Sequence, residues 1–316
     1  MDRRELLAGL GAGLGAATMA GVLPAAAQND IPRWSSPVID LHFHMRNPAQ
    51  SVAHQVGAGI TAANLLIGAN SAAQVAAVRA ANPAMFPSWF ASSNVSADDA
   101  GTRLADAVKA GAKGFGELKY QVESDGPEMR RVYAIAAEQG VPVLLHFQEI
   151  GQPAAPGGYN MGIKRFEAML KAFPRTKFIG HGDAFWANIS GDYAEKDVYP
   201  EGPIAPGGVI LKLLSDYENI SADLSANSGN NALKRNPAFT RDFLVKHQDK
   251  LHFGSDCNCD DGRGGGAQRQ SQAVAPNVRG KCVARETLTV LSASTTPEIF
   301  RKIAWTNTHK LLGLPA

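Results

Sequence analysis

A chain of 316 residues, 45% hydrophobic and 19% charged, is long enough for one large folded domain and has the make-up of an ordinary globular protein. Its net charge is +2, with lysines and arginines spread along the chain and no aromatic residues interleaved among basic clusters. That pattern gives no electrostatic case for nucleic acid or a membrane surface as partner, and leaves a small molecule as the expected one.

The chain opens on Arg3-Arg4, then Leu6-Leu7 and a Gly/Ala-rich apolar run from Ala8 to Leu23. Pro24 and the small residues Ala25-Ala26-Ala27 follow, a cleavage site before Gln28. Residues 1–27 therefore resemble a bacterial twin-arginine signal peptide, which would place the mature domain, 28–316, in the periplasm or outside the cell. The run is too short and too rich in glycine for a span, which needs roughly 20 apolar residues. No later stretch is apolar enough to cross a bilayer, so none is expected in the mature form.

Short β-rich runs then alternate with alanine-rich helical ones. The expected strands are Val38–His44, Ile60–Ile67, Met85–Ala91, Ala112–Lys119, Val141–Phe147, Lys177–Gly182, Asn219–Leu224 and Leu251–Asp256. Helical patterns fall at Ala72–Ala81, Ala100–Ala110, Glu128–Gln139, Lys164–Phe173, Gly208–Tyr217 and Pro237–His247, with Lys281–Leu291 and Pro297–Leu312 after the last strand. Eight strands alternating with helices predict a parallel sheet. The count of eight, and polar residues gathered at the C-terminal strand ends, favour a single-domain (β/α)₈ TIM barrel over an open sheet. No Gly-x-Gly-x-x-Gly turn follows the first strand. Three long connections, Gln148–Ile163, Asp183–Pro206 and Cys257–Gly280, would roof a pocket and offer Tyr159, Trp186, Tyr193 and Arg263 as substrate contacts.

The chemistry-bearing residues sit at the mouths of these strands. In Asp40-Leu41-His42-Phe43-His44, residues two apart face the same way, so His42 and His44 project together and Phe43 turns to the helix layer. Glu117, His146, His181 and Asp256 each lie at the end of a largely apolar strand. Unpaired burial of such groups costs several kcal/mol. A shared divalent cation satisfies all of them, zinc being the expected ion. Asp40 reads as a supporting residue and His252 as a packing residue. His54, His247 and His309 read as surface or helix-end residues, and Asn307 as a brace for the closing helix.

His-x-His on strand one, His on strands five and six and Asp on strand eight resemble the amidohydrolase superfamily, and Ile303–Leu314 is similar to the closing helix of its amidohydrolase-2 branch. The resemblance implies that His42, His44 and Asp256 hold a first metal. His146 and His181 would hold a second, or His146 would join the first while His181 acts on substrate. Glu117 would bridge the ions where many members use a carboxylated lysine, a part open also to Lys119. One or two ions are thus implied. The implied reaction is hydrolysis of an amide, ester or lactone by an activated water, with Asp256 and His181 as catalytic residues and Lys119 or His181 polarising the substrate. A metal-dependent decarboxylase of a small unsaturated or aromatic acid is the second reading, with Arg46 or Arg263 binding the carboxylate. A non-catalytic metal or ligand carrier is the third. The sequence is compatible with a homo-oligomer.

Cys257, Cys259 and Cys282 are the three cysteines. In an oxidising compartment a Cys259–Cys282 disulfide would close the loop between them, against the alternative of three unpaired thiols. The Cys-x-Cys spacing argues against a cysteine metal site, since it lacks the usual two-residue gap.

Overall fold

The computed structural model describes residues 30–150, 157–194, 197–266 and 278–315. The signal segment expected over 1–27 lies outside the described residues. All eight expected strands are present: β1 Ile39–His44, β2 Ala62–Gly68, β3 Ser88–Ser92, β4 Gly114–Leu118, β5 Val143–His146, β6 Phe178–His181, β7 Ile220–Asp223 and β8 Leu251–His252. They run parallel and pair in sequence order from β1 to β8. Backbone bonds from Leu41 to the Phe253 carbonyl (3.0 Å) and from Asp256 to that of His42 (2.8 Å) join the segment after β8 to β1. The result is a nearly closed (β/α)₈ barrel, and residues 32–316 form one compact unit.

Helices cover the outside. The expected ones appear within a few residues, for example Ala72–Ala81, Pro127–Gln139 and Pro237–Lys246. Among the described residues three were not expected, one of them the short Asp183–Ala187 just after β6. Pro48–Ala58 starts on an Asn47 cap whose side chain accepts from the Gln50 amide. Ala226–Arg235 follows β7 and is rich in asparagine, a poor helix former that hides the pattern. Most buried apolar side chains pack between strands and helices, while Ile39, Leu41, Leu66, Phe90, Leu144 and Ile179 belong to a second, smaller cluster that Leu312 of the last helix joins.

Two irregularities aim the functional side chains. The β1–β2 register shifts between Asp40 and Phe43, and the β4–β5 register shifts between Phe115 and Leu118. Such bulges re-aim side chains beside active sites. Simple alternation would not put Leu41 in the small apolar cluster and His42 beside His44 in the mouth. On β4, Gly116 has φ +144°, and a Cβ there would meet Leu144 Cβ at 2.7 Å, so only glycine fits beside Glu117.

β8 is also shorter than expected. It ends at His252, and Asp256 lies beyond it with φ +40°. Asp40 explains how that segment is held. Its Oδ1 accepts from the His42 amide (3.0 Å) and the Ser255 amide (2.8 Å), bolting β1 to the chain just before Asp256. Asn307 ties the closing helix to the same region by donating to the Gln248 and Leu251 carbonyls.

His252 is buried and bonded to the Thr308 hydroxyl (3.0 Å). Burial disfavours its imidazolium and Asp223 only partly compensates, so its pKa falls to about 4. A histidine depressed in this way contributes stability above its unfolded pKa near 6.5, and that contribution is lost as pH falls through about 4. At about 1.4 kcal/mol per unit the loss is on the order of 3 kcal/mol. Urea unfolding of metal-stripped protein at pH 7 and pH 4 should show it, with a smaller drop in His252→Gln. Equal drops in the two proteins would place the acid sensitivity elsewhere.

Candidate metal centre

At the C-terminal mouth the structure brings together all six expected ligands. His42 Nε2 and His44 Nε2 lie 3.4 Å apart. Glu117 Oε2 is 3.2 Å from His44 and 3.9 Å from His42, while its Oε1 is 2.6 Å from His146 Nδ1 and 3.5 Å from His181 Nε2. Asp256 splits the same way, with Oδ1 at 3.5 Å from His44 and 3.8 Å from His42, and Oδ2 at 3.7 Å from His181. The groups His42–His44–Glu117, His42–His181–Asp256 and Glu117–His146–His181 are each close enough to share an ion.

The hydrogen bonds behind these groups decide which nitrogens face the centre. Asp223 Oδ2 accepts from His42 Nδ1 (2.6 Å) and from the Ser225 hydroxyl (2.7 Å). Ser225 Oγ, its proton committed to Asp223, accepts from His181 Nδ1 (2.8 Å). Both rings therefore carry hydrogen on Nδ1 and present the bare Nε2 lone pair inward, the arrangement that metal-ligating histidines adopt. Two consequences test the fit of a cation. The Nε2 lone pair of His42 points toward another imidazole, and His181 Nε2 is buried without a hydrogen-bond partner. Neither is tolerable without positive charge between them.

The electrostatics make the same demand. Burial works against a charged His42, yet Asp256, Asp223 and Glu117 outweigh it and push its pKa up to about 10. Burial alone would raise the Glu117 carboxyl, but His146, His44 and His42 hold it well below the usual range. His181 is driven well below its ordinary value by burial and then by the neighbouring His42. A centre that stabilises a proton on one ring and carboxylates around it fits divalent cations, and its N/O donor set suits zinc among others.

Asp223 and Ser225 escaped the sequence reading. Asp223 carried the signal used for the others, a carboxylate ending an apolar strand, but its role shows only in space. Gly254 is what lets it reach His42, since a Cβ there would meet Asp223 Oδ1 at 2.3 Å. Asp223→Asn should weaken zinc binding by about 10–100-fold, the usual effect of losing a ligand's carboxylate partner. Competition against a chromophoric chelator measures it, and an unchanged affinity would remove Asp223 from this role. Asp183, just past β6, was missed as well. It is buried beside the centre, and burial raises its carboxyl pKa, partly opposed by His146 and Lys119.

Of the expected substrate contacts, Tyr159 stands at the rim, its ring 6.2 Å from that of His146. Lys119 is exposed and holds its ammonium 5.2 Å over the Tyr159 ring. Its charge acts on His181 and Asp183. Trp186 corrects the expectation. It is buried, and its indole donates to the Asp223 carbonyl (3.0 Å), so it supports β7 from the helix side. Tyr193 bonds the Asp197 carbonyl (2.9 Å), and Arg263 sits in the turn around Asp261. Arg46 also corrects the reading, because its guanidinium donates to the Cys257 and Cys259 carbonyls instead of facing a substrate carboxylate.

The three cysteines are free thiols, so the Cys259–Cys282 disulfide is not present. His54 is fully buried beside them, contrary to the surface position expected for it. His247 does end a helix but is buried, and His309 is half-buried.

The fold is shared with solved structures of low sequence identity. One is 2,6-dihydroxybenzoate decarboxylase complexed with 2,6-dihydroxybenzoate (15% identity, TM-score 0.52, covering 88% of this chain and 100% of that one). Another is a probable 2-pyrone-4,6-dicarboxylic acid hydrolase from Acinetobacter baumannii with citric acid bound (13%, TM-score 0.54, 88% and 100%). A third is dihydroorotase from Campylobacter jejuni (16%, TM-score 0.55, 89% and 84%). At these identities the likeness establishes the fold alone. No curated protein matches the sequence. The sequence profile of the Amidohydro_2 family, described as amidohydrolase, matches residues 23–314. With its barrel, its cluster of histidines and carboxylates at the mouth and a match over nearly its whole length, the chain belongs to the amidohydrolase family Amidohydro_2.

Proposed function

We propose that this protein is a metal-dependent hydrolase that cleaves an amide, ester or lactone bond of a small molecule with two divalent cations. The observation that carries the reading is the position of Glu117, one oxygen turned to His42 and His44 and the other to His146 and His181. A carboxylate placed between two histidine pairs would suit two cations held about 3.5–4 Å apart. His42, His44 and Asp256 Oδ1 would hold one ion, and His146, His181 and Asp256 Oδ2 the other, with Glu117 common to both.

Bound there, the cations would supply Lewis acidity, acidifying a water and polarising the bond to be cleaved. The chain's own residues do the rest. Asp256, partly exposed at the open face, takes the proton of the attacking water and returns it to the leaving group. His181, held by Ser225, faces the developing negative charge from the buried side. Lys119 and Tyr159 line the entrance and orient the polar end of the substrate. The signal read in residues 1–27 would place this chemistry in the periplasm or outside the cell.

The fold does not choose the reaction, because the similar structures include a decarboxylase and hydrolases. Incubation of metal-replete protein with a panel of esters, lactones, amides and unsaturated acids in ¹⁸O water decides it. Label incorporated into a product carboxylate is the expected result. Release of CO₂ without label uptake would replace hydrolysis with decarboxylation.

A further inference from the structure

Among the described residues, one cluster of metal-ligating groups outside this centre joins residues more than 200 positions apart: His54 on the helix Pro48–Ala58, Cys257 and Cys259 after β8, and Cys282 capping the helix Val283–Ser294. All four are buried, and their donor atoms lie within 4.8 Å of one another. We propose that His54, Cys257, Cys259 and Cys282 form a closed, tetrahedral structural site for zinc or a similar thiophilic divalent cation.

Three observations support it. The first is spacing. Zinc bonds of about 2.3 Å to sulfur and about 2.0 Å to nitrogen imply tetrahedral edges of roughly 3.8 Å between sulfurs and roughly 3.5 Å between nitrogen and sulfur. His54 Nδ1, which bonds the Cys259 carbonyl (2.9 Å) where an ion would displace that bond, lies 3.5 Å from Cys259 Sγ, while Cys257 Sγ lies 3.3 Å from Cys259 Sγ and 3.9 Å from Cys282 Sγ. These are coordination distances, well beyond the roughly 2.05 Å of a disulfide.

The second is what surrounds the ligands. Three thiolates and a divalent cation leave one net negative charge. Arg46 stands against it, its guanidinium bonded to the Cys257 and Cys259 carbonyls and lying 5.2 Å over the Phe43 ring. Phe43 in turn stacks on the His54 imidazole at 5.1 Å and 21°. Orienting contacts of this kind usually stand behind metal ligands.

The third is how tightly the backbones are brought together. A Cβ on Gly57 would meet the Asp261 carbonyl oxygen at 1.9 Å, and one on Gly262 the His54 carbonyl oxygen at 2.3 Å. Glycines at both contacts let the helix carrying His54 press directly on the cysteine loop. Four buried protein donors leave no open position, which marks a structural role. Cys257 directly follows Asp256, so the site would anchor the segment that holds Asp256 at φ +40° over the catalytic centre.

Cobalt reads this site without interference, because the other centre has only nitrogen and oxygen donors. Full-length protein, stripped by chelator under reducing conditions and titrated with Co²⁺, should develop a thiolate-to-cobalt charge-transfer band that saturates at one equivalent of the thiol-bound ion. Cys282→Ser should lose or sharply weaken the band. If that variant does not fold, the wild-type spectrum decides alone. In parallel, zinc analysis of a His42→Ala/His181→Ala double variant should still find one zinc per chain. Cobalt bound without a sulfur band would overturn the proposal. So would no zinc in the double variant, or a wild-type mass two hydrogens light from a cystine. None of these results bears on the hydrolytic centre, which has its own assay.

Discussion

Glu117→Ala is expected to lower the metal content by at least one ion per chain and to cut turnover about 10³-fold or more. The carboxylate touches both histidine pairs, so its loss removes a donor from each half of the centre at once. It also removes the carboxylate bonded to His146 Nδ1 at 2.6 Å. Metal activation of water accounts for several kcal/mol of barrier. At about 1.4 kcal/mol per factor of ten, forfeiting roughly 4 kcal/mol corresponds to the stated drop. Elemental analysis beside the wild type gives the metal count and steady-state assay gives the rate. The zinc ascribed to the cysteine cluster should persist in the variant and serves as an internal reference. Glu117→Asp, with the charge kept on a shorter arm, should recover part of both. An unchanged metal ratio in Glu117→Ala would take Glu117 out of the centre and with it the case for two ions.

Asp256→Asn should behave differently. Its two oxygens lie 3.5 to 3.8 Å from His42, His44 and His181, but five other ligands remain when its charge is removed. Most of the metal should therefore stay. What goes is the base on the open side of the centre, and general acid–base groups commonly contribute about 10²–10⁴-fold. The expected result is a fall in kcat of that size with KM changed only a few-fold. The positive φ at Asp256 belongs to the same argument, since backbone held in a sparsely populated region is found at functional sites where the surroundings enforce it. The Asp40 bonds to the His42 and Ser255 amides do that work on one side. Full activity in Asp256→Asn with metal retained would end the proton-transfer role; loss of metal and activity together would make Asp256 chiefly a ligand.

The two variants together separate holding metal from moving protons, and the division follows from where each carboxylate sits. Glu117 is buried between the histidine pairs, whereas Asp256 faces the opening.

Much of this was legible in the chain. An apolar run ending in an ionisable residue is visible in Val143–His146 and Phe178–His181 because an apolar strand buried in a barrel has few places for a polar group except its mouth. The count of eight such runs set the architecture for the same reason. Helices written in alanine and leucine were equally readable, whereas Ala226–Arg235, written in asparagine, was not.

What the chain could not disclose were contacts made across the sheet or between loops. The register shifts in β1 and β4 exist only in their pairing with β2 and β5. Asp223 looks like any other strand-end carboxylate until His42 closes on it from β1, with Ser225, two residues on, bonded to the same oxygen. Trp186 resembles a loop aromatic until it is seen behind β7.

The order of elements and the identities of six ligands were fixed locally, by hydrophobic periodicity and the cost of burying charge. Which ring nitrogens face inward, how Glu117 divides its oxygens, and that His54 meets three cysteines were decided only when the barrel closed. These depend on distances of a few ångström between segments up to two hundred residues apart, and no local pattern encodes such a distance.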